Sequence, residues 1–189
     1  DGFHHREGRG VGGGLRPAGL TEYPFDFRKL PEDPVLFLQE RLRLGHVFAE
    51  QARERRDRLH KVLEQAASYF ERVLWDTDAG TPVREYLVSR GLGEEIARTF
   101  RLGLSPGHGL VAKARESGFT VEELRAAGLA NQRGNDYFPF RLMFPLADAR
   151  GRIIGFQARK LHDDDPLKGK YVNSPESDLF KKSQVLDGL

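Results

Sequence analysis

The stretch FRLMFPLADARGRIIGFQAR, residues 140–159, decides the fold class. Leu142, Phe144 and Leu146 alternate with other residues, and Ile154, Phe156 and Ala158 do so again, which is the period of half-buried strands. Between them Asp148, Ala149, Arg150 and Gly151 supply turn residues, so the unit reads strand, turn, strand. If Ile154 and Phe156 point into a core, Gln157 and Arg159 point the other way, because alternate side chains take opposite faces. Pro145 has no amide hydrogen for the ladder, which places the first strand at a sheet edge or on a bulge.

Upstream of this hairpin the period is helical. A helix is expected from Pro34. Between Arg53 and Trp75, Leu59, Val62, Leu63, Ala66, Phe70, Val73 and Leu74 recur at helical spacing and predict a stripe facing a core. Arg53, Arg55, Arg56 and Arg58 interleave with Glu50, Glu54, Asp57 and Glu64, the pattern of a solvated face laced with near-neighbour ion pairs. Thr81 as a hydroxyl cap and Pro82 at the first helical position open the next helix, and Gly91 closes it. Shorter helices follow over about 94–100 and 110–117, each with a later glycine as a left-handed stop. Thr120 and Glu123 form a capping box for a helix that ends at Gly128. The expected organisation is a flexible, glycine-rich linker over 1–33, a helical part over 34–130, and a basic hairpin and loop over 131–189. This is an α+β chain, a helical segment followed by a small antiparallel sheet.

Composition narrows the function classes. The 189 residues suffice for one moderate core, and 30 Lys and Arg against 28 Asp and Glu leave a net charge of +2, too balanced to name a partner. With no cysteine, disulfides and thiolate zinc sites are excluded. His4 and His5 are adjacent but have no further ligand at a useful spacing. No apolar run is long enough for a membrane span, and a cytoplasmic location fits.

The distribution of charge says more than the total. Arg141, Arg150, Arg152, Arg159, Lys160, Lys168, Lys170, Lys181 and Lys182 crowd the hairpin and the loop after it. Cations on a rigid sheet can track phosphates and gain affinity by counterion release. The same density also suits a merely solvated sheet face. Tyr137, Phe138 and Phe140 stand beside the first strand and read first as core, with base stacking as the alternative. Asp163, Asp164 and Asp165 form the only run of three acids, read as a hydrated loop rather than a magnesium site.

The wording of the final third is more specific. Asp136 to Leu146, Gly151 to Arg159, Lys170-Tyr171-Val172-Asn173-Ser174-Pro175-Glu176, and Phe180-Lys181-Lys182 resemble, in order and spacing, the bacterial replicative primases of the DnaG type. Tyr86-Leu87, Arg90-Gly91-Leu92, Phe100 to Gly103 and Pro106 look like that family's helical subdomain. The resemblance implies a DNA primase, a DNA-directed RNA polymerase that makes short RNA primers on single-stranded DNA for replication. By the same resemblance Arg141, Arg159, Lys170, Asn173 and Lys182 line the face toward template and incoming nucleotide. It further implies magnesium or manganese held by acidic residues of a following TOPRIM domain, zinc in a preceding module, and a replicative helicase met through a C-terminal domain. None of those metals is expected on residues of this chain, which stops where the metal-binding strand should begin and is expected to be inactive alone. Gln157 and Ala158 stand where many relatives carry two glycines, a local narrowing of backbone approach. The rival readings are a non-catalytic nucleic-acid-binding or docking module and a different TOPRIM enzyme.

Overall fold

The computed structural model describes residues 33–181 and divides the chain into two units, residues 1–44 and 45–189. The linker reading of 1–33, the His4–His5 pair and Lys182 fall outside the described residues, Asp33 excepted. Helix α1 runs Pro34–Asp76. In the first unit Asp33 caps it, its Oδ1 accepting from the amides of Val35 and Leu36 at 3.0 Å each.

In the second unit every residue of the α1 stripe from Leu59 to Leu74 is buried. A short 3₁₀ turn leads to α2 (Thr81–Ser89) and α3 (Glu94–Thr99), then β1 (Gly103–Pro106), α4 (Leu110–Glu116), α5 (Val121–Ala126), β2 (Phe140–Ala147), β3 (Ile153–Lys160) and β4 (Tyr171–Asn173). The four strands form one antiparallel sheet in the order β1-β2-β3-β4. The capping box of α5 is present in full, and Gly91 and Gly128 take positive φ at the helix stops.

Four local expectations are corrected. Residues 34–130 are not wholly helical, because Gly103–Pro106 pairs with β2 as a strand; it is too short, and too rich in Gly and Pro, to show a period. After α3 the left-handed stop is taken by Arg101 (φ 54°), not by a glycine. Its side chain ion-pairs with Glu64 and Glu71 of α1, each at 2.8 Å, which compensates the unfavourable φ. Thr81 makes no side-chain cap, and its hydroxyl accepts from Arg84 instead. Near the hairpin turn the ladder shifts register: Leu146 faces Gly155 and Ala147 faces Ile153, so Ile154 is left over. The bulge turns Ile153 into the core at 4% exposure beside Phe156, while Ile154 is half-buried. Pro145 lies close to that bulge, on a stretch of β2 beyond the reach of β1, so its missing amide costs no bond on that side.

The hairpin separates two cores rather than walling one. Met143, Phe156 and Ala158 pack with Leu59, Leu63 and Phe70 of α1 and with α4 and α5. Leu142 and Leu104 pack on the opposite side with Val73, Leu74, Val83 and Leu87, and Phe140 and Phe144 lean on that cluster. Phe138 is core at 1% exposure, with Tyr137 and Phe140 partly buried beside it. The sheet is thus covered more fully on the α1 side, and only partly on the α2 side.

Candidate nucleic-acid interface

That partly covered face is defined by register. Phe144 lies opposite Gln157, which lies opposite Asn173; one row along, Leu142 lies opposite Arg159, which lies opposite Tyr171. Since partners across a ladder share a face, Arg159 and Asn173 are brought together with Gln157 and Tyr171. The Gln157 amide donates to Asn173 Oδ1 at 3.3 Å, and the Asn173 amide nitrogen has no hydrogen-bond partner among the described residues. The Arg159 guanidinium lies 4.7 Å from the centre of the Tyr86 ring on α2, and Arg90 lies 5.3 Å from the same ring. Arg159 has no acid partner among the described residues, so its charge is oriented by an aromatic surface and not neutralised. Tyr171 is 50% exposed. Lys170 stands exposed at the entry to β4, its carbonyl accepting from the Lys160 amide at 2.8 Å.

Arg141 is elsewhere, and the expectation that it faces outward is corrected. Its side chain has 0% exposure on the α1 side of the sheet, and Nε lies 2.6 Å from Oδ2 of Asp165, itself 2% exposed. Nη1 donates to the Ala158 carbonyl at 3.2 Å, and Nη2 donates to those of Leu167 (2.7 Å) and Gly169 (3.3 Å). Neither Nε nor Oδ2 makes a hydrogen bond, so the charge contact between them is what compensates their burial. Arg141 therefore clamps the loop that presents Lys168 and Lys170.

The remaining cations do not converge on this face either. Lys160 is paired with Asp163 at 3.6 Å, and Arg152 is paired with Asp148 at 2.9 Å inside the hairpin turn. Hydrogen bonds to Asp148, first from the Arg152 amide and then from its side chain and the Arg150 amide, hold that carboxyl below its ordinary range. Arg150 and Lys181 stand near the turn, beside α1. The expected single basic surface from Arg141 to Lys182 is thus split among the described residues.

The run Lys170 to Glu176 has two jobs. Lys170, Tyr171 and Asn173 face out, whereas the Ser174 hydroxyl accepts from the Phe156 amide at 2.9 Å and Ser174 is 1% exposed. A Cβ at Gly155 would meet Ser174 Oγ at 3.2 Å, so a side chain there would press on Ser174 and Phe180. Of the three loop acids, Asp165 is consumed by Arg141 and Asp163 by Lys160, and among the described residues no group of three His, Cys, Asp or Glu could hold a metal. The described residues do not form a metal centre. Tyr86, Arg90, Gln157 and Tyr171 were not singled out as site residues from sequence; Tyr171 sits inside the informative run, but Tyr86 reaches Arg159 only through tertiary packing.

Residues 69–189 match the family described as DNA primase catalytic core, N-terminal domain. The DNA primase of Mycobacterium tuberculosis is 36% identical in an alignment of 160 positions that covers 78% of this chain and 25% of that protein. The RNA polymerase domain of Mycobacterium tuberculosis primase DnaG superposes with a TM-score of 0.64 at 40% identity, over 68% of this chain and 43% of that one. A DnaG primase catalytic domain bound to ssDNA gives 0.59 at 37% identity, over 68% and 40% of the two chains. The chain spans about a quarter of the length of the curated relatives it matches.

Proposed function

The chain belongs to the DNA primase catalytic core N-terminal domain family, and from that premise we propose that it serves a DNA-directed RNA polymerase making primers for replication. Its role there is to hold template and incoming nucleotide on the open sheet face. One observation carries the reading: the β3–β4 register sets Arg159, Gln157, Asn173 and Tyr171 side by side, with Lys170 at the strand entry.

The chemistry suits nucleotidyl transfer. Negative charge accumulates on the phosphoryl oxygens and departing pyrophosphate, and fixed cations offset it without reorganising. Arg159, held over the Tyr86 ring, offers a planar donor set, and Lys170 a mobile point charge. The Asn173 amide suits a sugar hydroxyl or base edge, and the exposed Tyr171 ring suits stacking on an unpaired base. Divalent metal, zinc and the helicase contact are assigned to parts of the enzyme outside this chain, and the protein is placed in the bacterial cytoplasm. A relative bound to single-stranded DNA supports the choice of template.

The test is a titration of the 189-residue chain with labelled single-stranded DNA at two ionic strengths. Binding is expected to be weak and salt-sensitive, and to fall when Arg159 and Lys170 are both replaced by Ala. Affinity indifferent to salt and to that double replacement would reject the reading.

A further inference from the structure

The arginine-rich stretch of α1 does not behave as its pattern suggests. The near-neighbour pairs expected within residues 50–64 do not form among the described residues. Arg55 reaches to Asp178 at 3.4 Å, and Arg58 reaches across to Glu123 of α5. Arg53 and Arg56, together with Arg150 of the hairpin turn and Lys181, have no acid partner among the described residues. These four line a single open groove of about 1300 Å³ between α1 and the turn.

The acids of this groove are largely spoken for. Asp148 is held by Arg152 and Asp178 by Arg55, which leaves Asp57 as the one lining acid without an ion-pair partner among the described residues. The walls are fixed to each other. His60 Nδ1 lies 3.0 Å from the Ile153 carbonyl, a bond that ties α1 to the start of β3. A second hollow of about 610 Å³ shares Ala52, Arg56, Asp178 and Lys181 with the groove and lengthens it into a trough.

The lining selects the ligand class. Small-molecule sites are typically smaller than about 1,000 Å³ and rich in aromatic and large apolar side chains. Here the apolar lining is four alanines, at positions 49, 52, 147 and 149, with Ile154 and Leu179; no Phe, Tyr or Trp lines the main groove, and Phe48 lines the hollow that extends it. A docked protein segment draws most of its energy from aromatic anchors, and the main groove offers none, with only Ile154 and Leu179 as larger apolar groups. What remains is an extended open channel edged by planar guanidinium groups, suited to a chain of phosphates whose bases face away. From Arg53 to His60 the helix rises about 10 Å, the length of about three nucleotides of stacked strand.

We propose that this groove is a second nucleic-acid site, gripping the phosphodiester backbone without reading sequence. It lies on the α1 side of the hairpin, whereas Arg159 and Asn173 lie on the other face. It would hold strand away from the reacting end and keep the complex from dissociating between nucleotide additions. The inference goes beyond the sheet-face reading, and each can fail without the other.

The test uses the 189-residue chain and fluorescence anisotropy of labelled oligothymidylate of about 12 nucleotides, beside a duplex of the same length. Two variants are compared, R53A/R56A/R150A in the groove and R159A/K170A on the sheet face, both checked by circular dichroism. The side chains of the three groove residues make no hydrogen bond or ion pair among the described residues, and the Arg150 amide that donates to Asp148 is kept in the alanine variant. With about three phosphates released, the slope of log affinity against log salt is expected to fall by about 2 on the single strand and about 2.7 on the duplex. A milder R56Q variant is expected to lose about one third of that slope. A loss of slope confined to one of the two probes identifies which form occupies the groove. An unchanged slope in the groove variant, with loss in the sheet-face variant, would overturn the groove and leave the sheet-face reading standing. Displacement of the DNA by poly-glutamate at equal charge concentration, lost in the groove variant, would assign the groove to an acidic protein instead.

Discussion

Replacing Arg141 with Met separates a structural clamp from a surface contact. The guanidinium and the Asp165 carboxylate have 0% and 2% exposure, and the same guanidinium serves the carbonyls of Ala158, Leu167 and Gly169. Removing one member of such a pair leaves the other charge buried without compensation, a loss of about 3–5 kcal/mol. For a domain of this size that lowers Tm by about 6–20 °C and shifts a urea midpoint by roughly 1.5–2.5 M. Replacing both partners, as R141M/D165L, removes the orphaned charge, and exchange of a buried pair for apolar residues is often neutral. Recovery is expected to be incomplete, because Asp165 Oδ1 also accepts from the Leu167 amide at 2.8 Å and that donor would lose its partner. Both variants release the carbonyls of Leu167 and Gly169, so DNA affinity is expected to fall in both while stability falls chiefly in one. The assay is urea unfolding followed by tryptophan fluorescence, with anisotropy on the same samples. A single-variant loss below about 1 kcal/mol, or no difference between single and double variants, would refute the clamp.

Other outcomes follow from local geometry. The Arg58 side chain first, and the Thr120 amide second, pull the Glu123 carboxyl from 4.5 down to about 2. A lowered folded-state value means that the stabilisation is complete above the unfolded value and is lost as pH falls through the folded one. The stability difference between wild type and E123Q is therefore expected to be constant above about pH 5 and to shrink between 4.5 and 2; a difference independent of pH would contradict it. Because Arg101 combines a φ of 54° with two ion pairs, R101A keeps the strain and loses the pairs. R101G sheds the strain, so thermal unfolding is expected to find it the more stable of the two by about 1 kcal/mol. Y86A removes the surface on which Arg159 rests and is expected to weaken single-strand binding severalfold with little change in Tm; a drop in Tm with unchanged binding would make the ring structural only. At Gly103 a Cβ would stand 2.5 Å from the Phe70 Cβ, so G103A is expected to destabilise by about 1–3 kcal/mol, read by urea unfolding.

Legibility followed the range of each interaction. The α1 stripe, the α5 capping box, the glycine stops and the hairpin turn are decided within a few residues, and the chain shows them openly. Strand β1 escaped notice because nothing in Gly-Leu-Ser-Pro prefers a strand until β2 lies beside it. The bulge at Ile154 escaped because alternation carries no mark of a residue inserted without a partner. The site was half legible for the same reason. Positions 157, 159, 171 and 173 share a face by parity once the register is known, but parity alone cannot say whether a cation meets solvent or an acid. Arg141 and Arg159 are both strand arginines; one sits opposite Lys160 over the loop of Asp165, the other opposite Leu142 and Tyr171 beside an aromatic ring. Burial converts the first into a clamp because an uncompensated charge is intolerable there, and partial exposure leaves the second able to exchange its ring contact for a phosphate. The arginines of α1 make the complementary case. Their acids stand at helical pairing distance, yet partners on α5 and beyond β4 take Arg55 and Arg58, and the groove leaves Arg53 and Arg56 without acids. Charge pattern along one helix thus underdetermines charge on the surface, because a pair worth only a few tenths of a kcal/mol is easily displaced by a tertiary one.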